Sequence, residues 1–243
     1  MKTIPHLFAI SVAAALSSGF APQAVAADLT NFSTVTQAQF VALSKDLAAV
    51  TSTKAMEPAA PLGLAGFDIS ASTAMTQTKA GAAWNAITGG GADHLTQTKL
   101  SVTKGLPWGI DVGAFTSTVA STNVTAKGFH LKYALIDGGA LMPAVAFRGN
   151  YSKTSGVSQM DLTNTGYDLL ISKGFVGFTP YAGVGTVRTQ ANVQGVSQLS
   201  STSFSQNKSF VGFSWNMLML NLCAEYERIG EASTYGLKAG LRF

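Results

Sequence analysis

Cysteine is almost missing from this chain. Cys223 is the only one among 243 residues, which excludes a disulfide within one chain and a lipid attached to a cysteine near the N-terminus. Charge is also scarce. Asp, Glu, Lys and Arg together make up 12%, about half the share usual in soluble domains. The net charge of +4 is too small to imply a nucleic-acid surface. Past the first twenty or so residues, no segment approaches the run of about eighteen apolar residues that a membrane-spanning helix needs. Only His94 and His130 lie beyond the leader described next, and with one cysteine at an unrelated spacing they form no metal-ligand set.

What is present begins with Met1 to Ala26. Lys2 supplies a positive start, Leu7 to Phe20 an apolar run too short to span a bilayer comfortably, and Ala24-Val25-Ala26 a small-x-small cleavage site. This reads as a secretory signal peptide, with the mature chain starting at Ala27. Next, Thr36-Gln-Ala-Gln39 has capping-box spacing, and Phe40, Leu43, Leu47 and Val50 recur at helical spacing. That predicts one amphipathic helix over about 37–50. Glu57-Pro-Ala-Ala-Pro-Leu-Gly63 follows, and its two prolines suggest an extended connector.

From Gly66 the period changes to two. Phe67, Ile69, Ala71 and Met75 alternate with Asp68, Ser70, Ser72 and Thr76, and the same alternation returns in nine later segments. Connections are read at 77–93, a Gly-rich loop, and at 120–123, 155–159, 192–206 and 230–233 on one side. Those on the other side are short: 105–108, 137–143, 174–177 and 218–219. The two longest connections therefore fall on the same side. The final segment, Ser233 to Phe243, sends Tyr235, Leu237, Ala239, Leu241 and Phe243 to one face and Gly236, Lys238, Gly240 and Arg242 to the other.

A last strand with alternating apolar residues and a terminal Phe243 resembles the C-terminal targeting strand of bacterial outer-membrane β-barrels, on Tyr235, Leu237, Leu241 and Phe243. The fold expected is all-β: a closed, antiparallel, up-and-down transmembrane barrel of about ten strands over 66–243, after a helix and Pro-rich connector over 27–65. The resemblance implies the outer membrane of a Gram-negative bacterium, with outer-membrane lipid and the barrel-assembly machinery as partners and the short connections on the periplasmic side. No nucleic-acid partner is expected, and the oligomeric state is left open. Phe67, Trp108, Phe178, Trp215 and Phe243 then fall near one membrane surface, and Phe129, Tyr151, Tyr226 and Tyr235 near the other.

The face opposite the apolar one carries the charges. Asp68, Asp111, Asp168, Glu225 and Glu227 are expected to meet Lys99, Lys132, Arg148, Lys238 and Arg242 in a network inside the lumen, since buried charges need partners. About ten strands is nearer the filled than the open end of the size range. The lumen is therefore expected to be narrow or plugged, with the N-terminal helix as the simplest plug. Some barrels of this size resemble the architecture and are surface proteases using rim carboxylates and a histidine. Asp93 and His94 are neighbours on one strand edge and face opposite ways, a poor geometry for a dyad. No enzyme, cofactor or metal is expected. Gly89-Gly90-Gly91 lacks a following Lys-Ser/Thr and reads as loop. The functions in view are a structural or surface-interaction barrel, a narrow porin-like channel for small solutes or ions, and a secreted soluble β-protein that binds through its long loops.

Overall fold

Residues 29, 32–89 and 92–243 are described by a computed structural model. The signal-peptide segment, its cleavage site and two of the three glycines at 89–91 lie outside those residues. A short 3₁₀ turn at Phe32–Thr34 leads to helix α1, Gln37–Thr51. Its capping box forms: the Gln39 amide N–H donates to Thr36 Oγ1 at 3.3 Å, and the Thr36 N–H to Gln39 Oε1 at 2.9 Å. An extended segment then runs to β1.

Ten strands follow: β1 (Phe67–Gln77), β2 (His94–Leu106), β3 (Ile110–Val119), β4 (Thr125–Ile136), β5 (Ala144–Ser155), β6 (Met160–Ser172), β7 (Phe178–Val193), β8 (Thr202–Met217), β9 (Leu220–Ile229) and β10 (Ala232–Arg242). Each pairs antiparallel with its sequence neighbour, and β10 pairs with β1 to close the barrel. At the seam Phe67 and Phe243 exchange both backbone hydrogen bonds, at 2.6 and 3.0 Å. The rim that holds this seam end is called the near rim, and the opposite one the far rim.

Three connections differ from the sequence reading. Residues 77–93 are not only a loop: Gly81–Thr88 forms a short helix, α2. Its apolar contacts, Ala83, Trp84 and Ile87, fill barely two turns, too little for periodicity to register. The stretch read as a loop over 192–206 is mostly strand. Pairing of β6 with β7 continues to Met160↔Val193, and that of β7 with β8 to Ala191↔Thr202, leaving 194–201 as the connection. These strand ends have polar outward positions, such as Gln190, Asn192 and Ser203, so the alternation that marks the other strands fades while the backbone ladder continues. The connection read at 105–108 shifts as well, with β2 running to Leu106 and a 3₁₀ turn at Pro107–Gly109.

The barrel is inside-out relative to a soluble protein. Outward positions at mid-strand are exposed and apolar: Ile69, Leu100, Leu131, Leu169, Val211 and Leu237. Inward positions are buried and polar, among them Asp111, Lys132, Arg148, Asp168 and Lys208. Tyr235, Leu237 and Leu241 of β10, with Phe243 just past its end, are exposed on the outward face. Aromatic rings pair across neighbouring outward positions near both rims. Phe67–Phe243 and Phe178–Phe213 lie 5.9 and 5.4 Å apart at the near rim, and Phe129–Tyr151 and Tyr226–Tyr235 5.3 and 5.1 Å apart toward the far rim. No helix among the described residues is long and apolar enough to cross a membrane.

The seam can be tested directly. Thr76 and Thr234 face each other inside it with their hydroxyls 2.9 Å apart. The pair Thr76→Cys and Thr234→Cys, in a Cys223→Ser background, is expected to oxidise to a disulfide that changes mobility on a non-reducing gel. A sheet that is open at this edge leaves both thiols titratable.

Candidate functional site in the barrel lumen

The lumen is organised around the chain between α1 and β1. At the far rim α1 sits in the barrel mouth. Phe40, Leu43 and Leu47 pack with Trp84 and Ile87 of α2 and with Leu199 of the β7–β8 connection. Asp46 fixes the two helices together. Its carboxylate accepts from the backbone N–H groups of Lys79 and Ala80, and from Trp84 Nε1 at 3.0 Å. Ala80 cannot cap α2 with its own side chain, so a carboxylate from α1 meets the free N–H groups at that helix start. The last turn of α1 is met by a cation: Lys54 Nζ donates to the carbonyls of Ala49 and Val50.

Below α1, the backbone of 51–62 runs among the inward side chains of the strands. Ser152 donates to the Thr51 carbonyl at 3.1 Å and Lys208 to the Thr53 carbonyl at 3.1 Å. Lys99 donates to the Lys54 carbonyl, and Lys132 to those of Pro58 at 2.9 Å and Ala60 at 3.3 Å. In the other direction, the Ala59 N–H donates to Ser172 Oγ and the Leu62 N–H to the Asp111 carboxylate, each at 3.1 Å. Buried backbone groups need partners, and here strand side chains supply them. Glycine makes the room. A Cβ at Gly236 would lie 2.2 Å from Met56 Cε, and one at Gly105 would lie 2.0 Å from the Gly63 carbonyl.

Charges on the segment join charges on the wall. Glu57 lies 3.6 Å from both Lys132 and Arg148 and 3.4 Å from His130. Lys132 also pairs with Asp111 at 3.0 Å, and Arg148 with Asp168 at 2.7 Å. Lys208 bridges Asp168 and Glu227, and Lys54 reaches Glu227 at 3.6 Å. A separate group stands at the near rim, where Lys238 and Arg242 share Asp68. The main network thus holds the cations Lys54, Lys132, Arg148 and Lys208 against the anions Glu57, Asp111, Asp168 and Glu227, with His130 at its edge. A buried charge without a partner costs several kcal/mol, and this balance avoids most of that cost.

Eight of the ten residues expected from the sequence take part in ion pairs: Asp68, Asp111, Lys132, Arg148, Asp168, Glu227, Lys238 and Arg242. Lys99 and Glu225 also face the lumen, but among the described residues neither lies in an ion pair. Lys99 holds the Lys54 carbonyl and lies over the Phe115 ring, and Glu225 accepts from Tyr181 Oη at 2.9 Å. Sequence reasoning missed Lys208, Lys54 and Glu57. Strand parity carried the signal for Lys208, two residues before the inward Phe210. Lys54 and Glu57 sit in an aperiodic segment, where their only mark is charge amid small apolar residues. Cys223 is buried and free, near Met56 and Ala74. Asp93 and His94 are exposed at the far rim. Among the described residues, no group of three His, Cys, Asp or Glu side chains is placed to hold a metal.

Neither a protein-family model nor a curated protein sequence matches the chain. Solved structures do. One is a loop L8 deletion mutant of OmpT, an outer membrane protein of Vibrio cholerae. It is 12% identical with a TM-score of 0.34, covering 62% of this chain and 54% of that one, so the match spans about half the V. cholerae protein. Neisserial surface protein A is 14% identical with a TM-score of 0.33, covering 72% of this chain and 95% of its own. LpxR from Salmonella typhimurium is 11% identical with a TM-score of 0.39, covering 72% and 100%. The barrel assignment itself rests on the strand pairing described above.

Glu57→Gln keeps the size of the side chain and removes its charge, leaving His130, Lys132 and Arg148 without that anion. A loss of about 3–5 kcal/mol in unfolding free energy is expected, with faster amide exchange across 52–62. Unchanged stability and exchange would show that the segment is held without this network.

Proposed function

We propose that the chain is an integral outer-membrane β-barrel that closes its own lumen with residues 37–62 and serves a structural or surface-interaction role. The carrying observation is the run of backbone and charge contacts between residues 51–62 and the lumen wall. Support for the membrane comes from the two faces. In hydrocarbon every backbone polar group must be paired within the protein, which a closed ladder achieves. The exposed apolar band and its flanking aromatic pairs fit lipid. Outer-membrane lipid is then the partner of the outer face, and the barrel-assembly machinery is engaged through β10. On this reading the near rim is periplasmic and the far rim faces the exterior.

The ties between residues 51–62 and the lumen wall favour this role over a narrow channel. A cavity of about 10 Å³ between Thr53, Lys99, His130 and Lys238 has room for about one water. The lumen carboxylates are engaged by cations or by the Tyr181 hydroxyl, which supports a structural over a catalytic role for them.

Two experiments test the reading. In a planar bilayer the full chain is expected to be silent, whereas a variant lacking 32–62 is expected to conduct. Steady conductance by the full chain would favour the channel. Leu237→Arg places a cation on the outward face of β10, at a cost of about 2–4 kcal/mol at the bilayer midplane. A reduced heat-modifiable band is expected. Full tolerance of Arg, with recovery in the soluble periplasm, would favour a secreted soluble protein.

A further inference from the structure

The two rims differ in a way that lumen closure does not explain. At the far rim, the connections 120–124, 156–159, 194–201 and 230–231 present no large exposed apolar side chain among the described residues. At the near rim every turn does. Trp108, Leu141, Val176 and Leu218 stand at the tips of the four near-rim turns, 85, 94, 104 and 103% exposed. Met142, Phe175 and Met219 flank them, and Leu64 adds a fifth point where the lumen segment meets β1.

Two of these tips hold a bulky side chain where the backbone favours glycine. Trp108 has φ 61° and Leu218 φ 55°, the left-handed region that large residues rarely occupy. Gly109 and Gly177 hold such angles nearby without strain. A turn that only reverses the chain gains nothing from tryptophan or leucine at such a site.

The turn carbonyls carry a second, independent sign. Lys173 Nζ donates to the carbonyls of Gly139, Ala140 and Met142 at 2.8, 2.7 and 3.3 Å. Lys104 Nζ donates to those of Leu64 and Gly66 at 2.6 and 3.2 Å. Turn carbonyls in water need no such donors. In a layer poor in water they do, and a lysine can lay its stem along apolar surface while its ammonium meets the polar group.

We infer that the near-rim turns are immersed in the surface layer of a phospholipid leaflet rather than standing in water, so that Trp108, Leu141, Val176 and Leu218 anchor the barrel from its end as well as its side. The inference rests on the membrane reading above. The occupant is lipid because the apolar tips ring the whole rim and continue the outward apolar band. A protein partner seated on one side would cover one or two turns and leave the others bare.

The test uses the full chain in phospholipid vesicles, with a Cys223→Ser background and single nitroxide labels at Val176→Cys and Leu218→Cys. Leu169→Cys, outward at mid-strand, is the lipid control, and Ser197→Cys, exposed at the far rim, is the aqueous control. The expected result is several-fold lower collision with a water-soluble nickel chelate at Val176 and Leu218 than at Ser197, with raised collision with oxygen. Chelate access at either tip equal to that at Ser197 overturns the inference. A tip ringed by lipid at one site only would also overturn it, since immersion of the rim requires both. Should Leu169 itself report water, the membrane reading fails, which separates the two failures.

Discussion

Pairing of β1 with β10 is the constraint on which the rest depends. A ten-stranded antiparallel sheet left open has two edges, each presenting unpaired N–H and C=O groups. The Phe67–Phe243 exchange and the register that runs from it to Thr76↔Thr234 remove both edges. Once the ladder is closed, the backbone makes no demand on its surroundings. The outward face is then free to be apolar and the inward face free to carry charge. The alternation along every strand follows from that single closure.

Closure also creates the lumen's difficulty. Inward positions of the ten strands share the lumen with residues 51–62, and those inward side chains include many ions. Residues 51–62 meet both needs. Their carbonyls accept from Lys99, Lys132 and Lys208, while Glu57 and Lys54 add charge where the wall has the opposite sign. A wholly apolar filler would take from Lys99 the carbonyl it donates to and leave Lys132 and Lys208 with their wall carboxylates alone, and a buried charge that loses its partner costs several kcal/mol. Polarity inside the barrel is therefore a condition of stability, whatever else it serves.

Much of the fold was legible because strands with an apolar outward face and a polar inward face alternate strictly. Leu100 against Lys99, or Leu237 against Lys238, declares its face with no help from tertiary context. The capping box at Thr36–Gln39 was legible because it is local. What escaped notice lacked such a rule. Helix α2 is capped by Asp46, more than thirty residues earlier, a contact that no local pattern encodes. The ends of β7 and β8 have polar outward positions, so their alternation weakens although their hydrogen bonds do not. Lys54 and Glu57 were invisible for the same reason: an irregular segment has no period, and its role is set by the wall around it. Lys99 and Glu225 carried the right face but not the right partner, since parity fixes direction and says nothing about distance.

The route of the lumen segment has a consequence for how the molecule comes apart. The chain passes from the far-rim mouth, through the middle, to the start of β1, yet the wall that encloses it is completed only by β10, the last strand made. Residues 51–62 are held from several strands at once, by Ser152 of β5, Lys132 of β4, Ser172 of β6 and Lys208 of β8. A local opening of the β1–β10 seam therefore leaves most of these ties in place, and release of the segment requires the wall to come apart on more than one side.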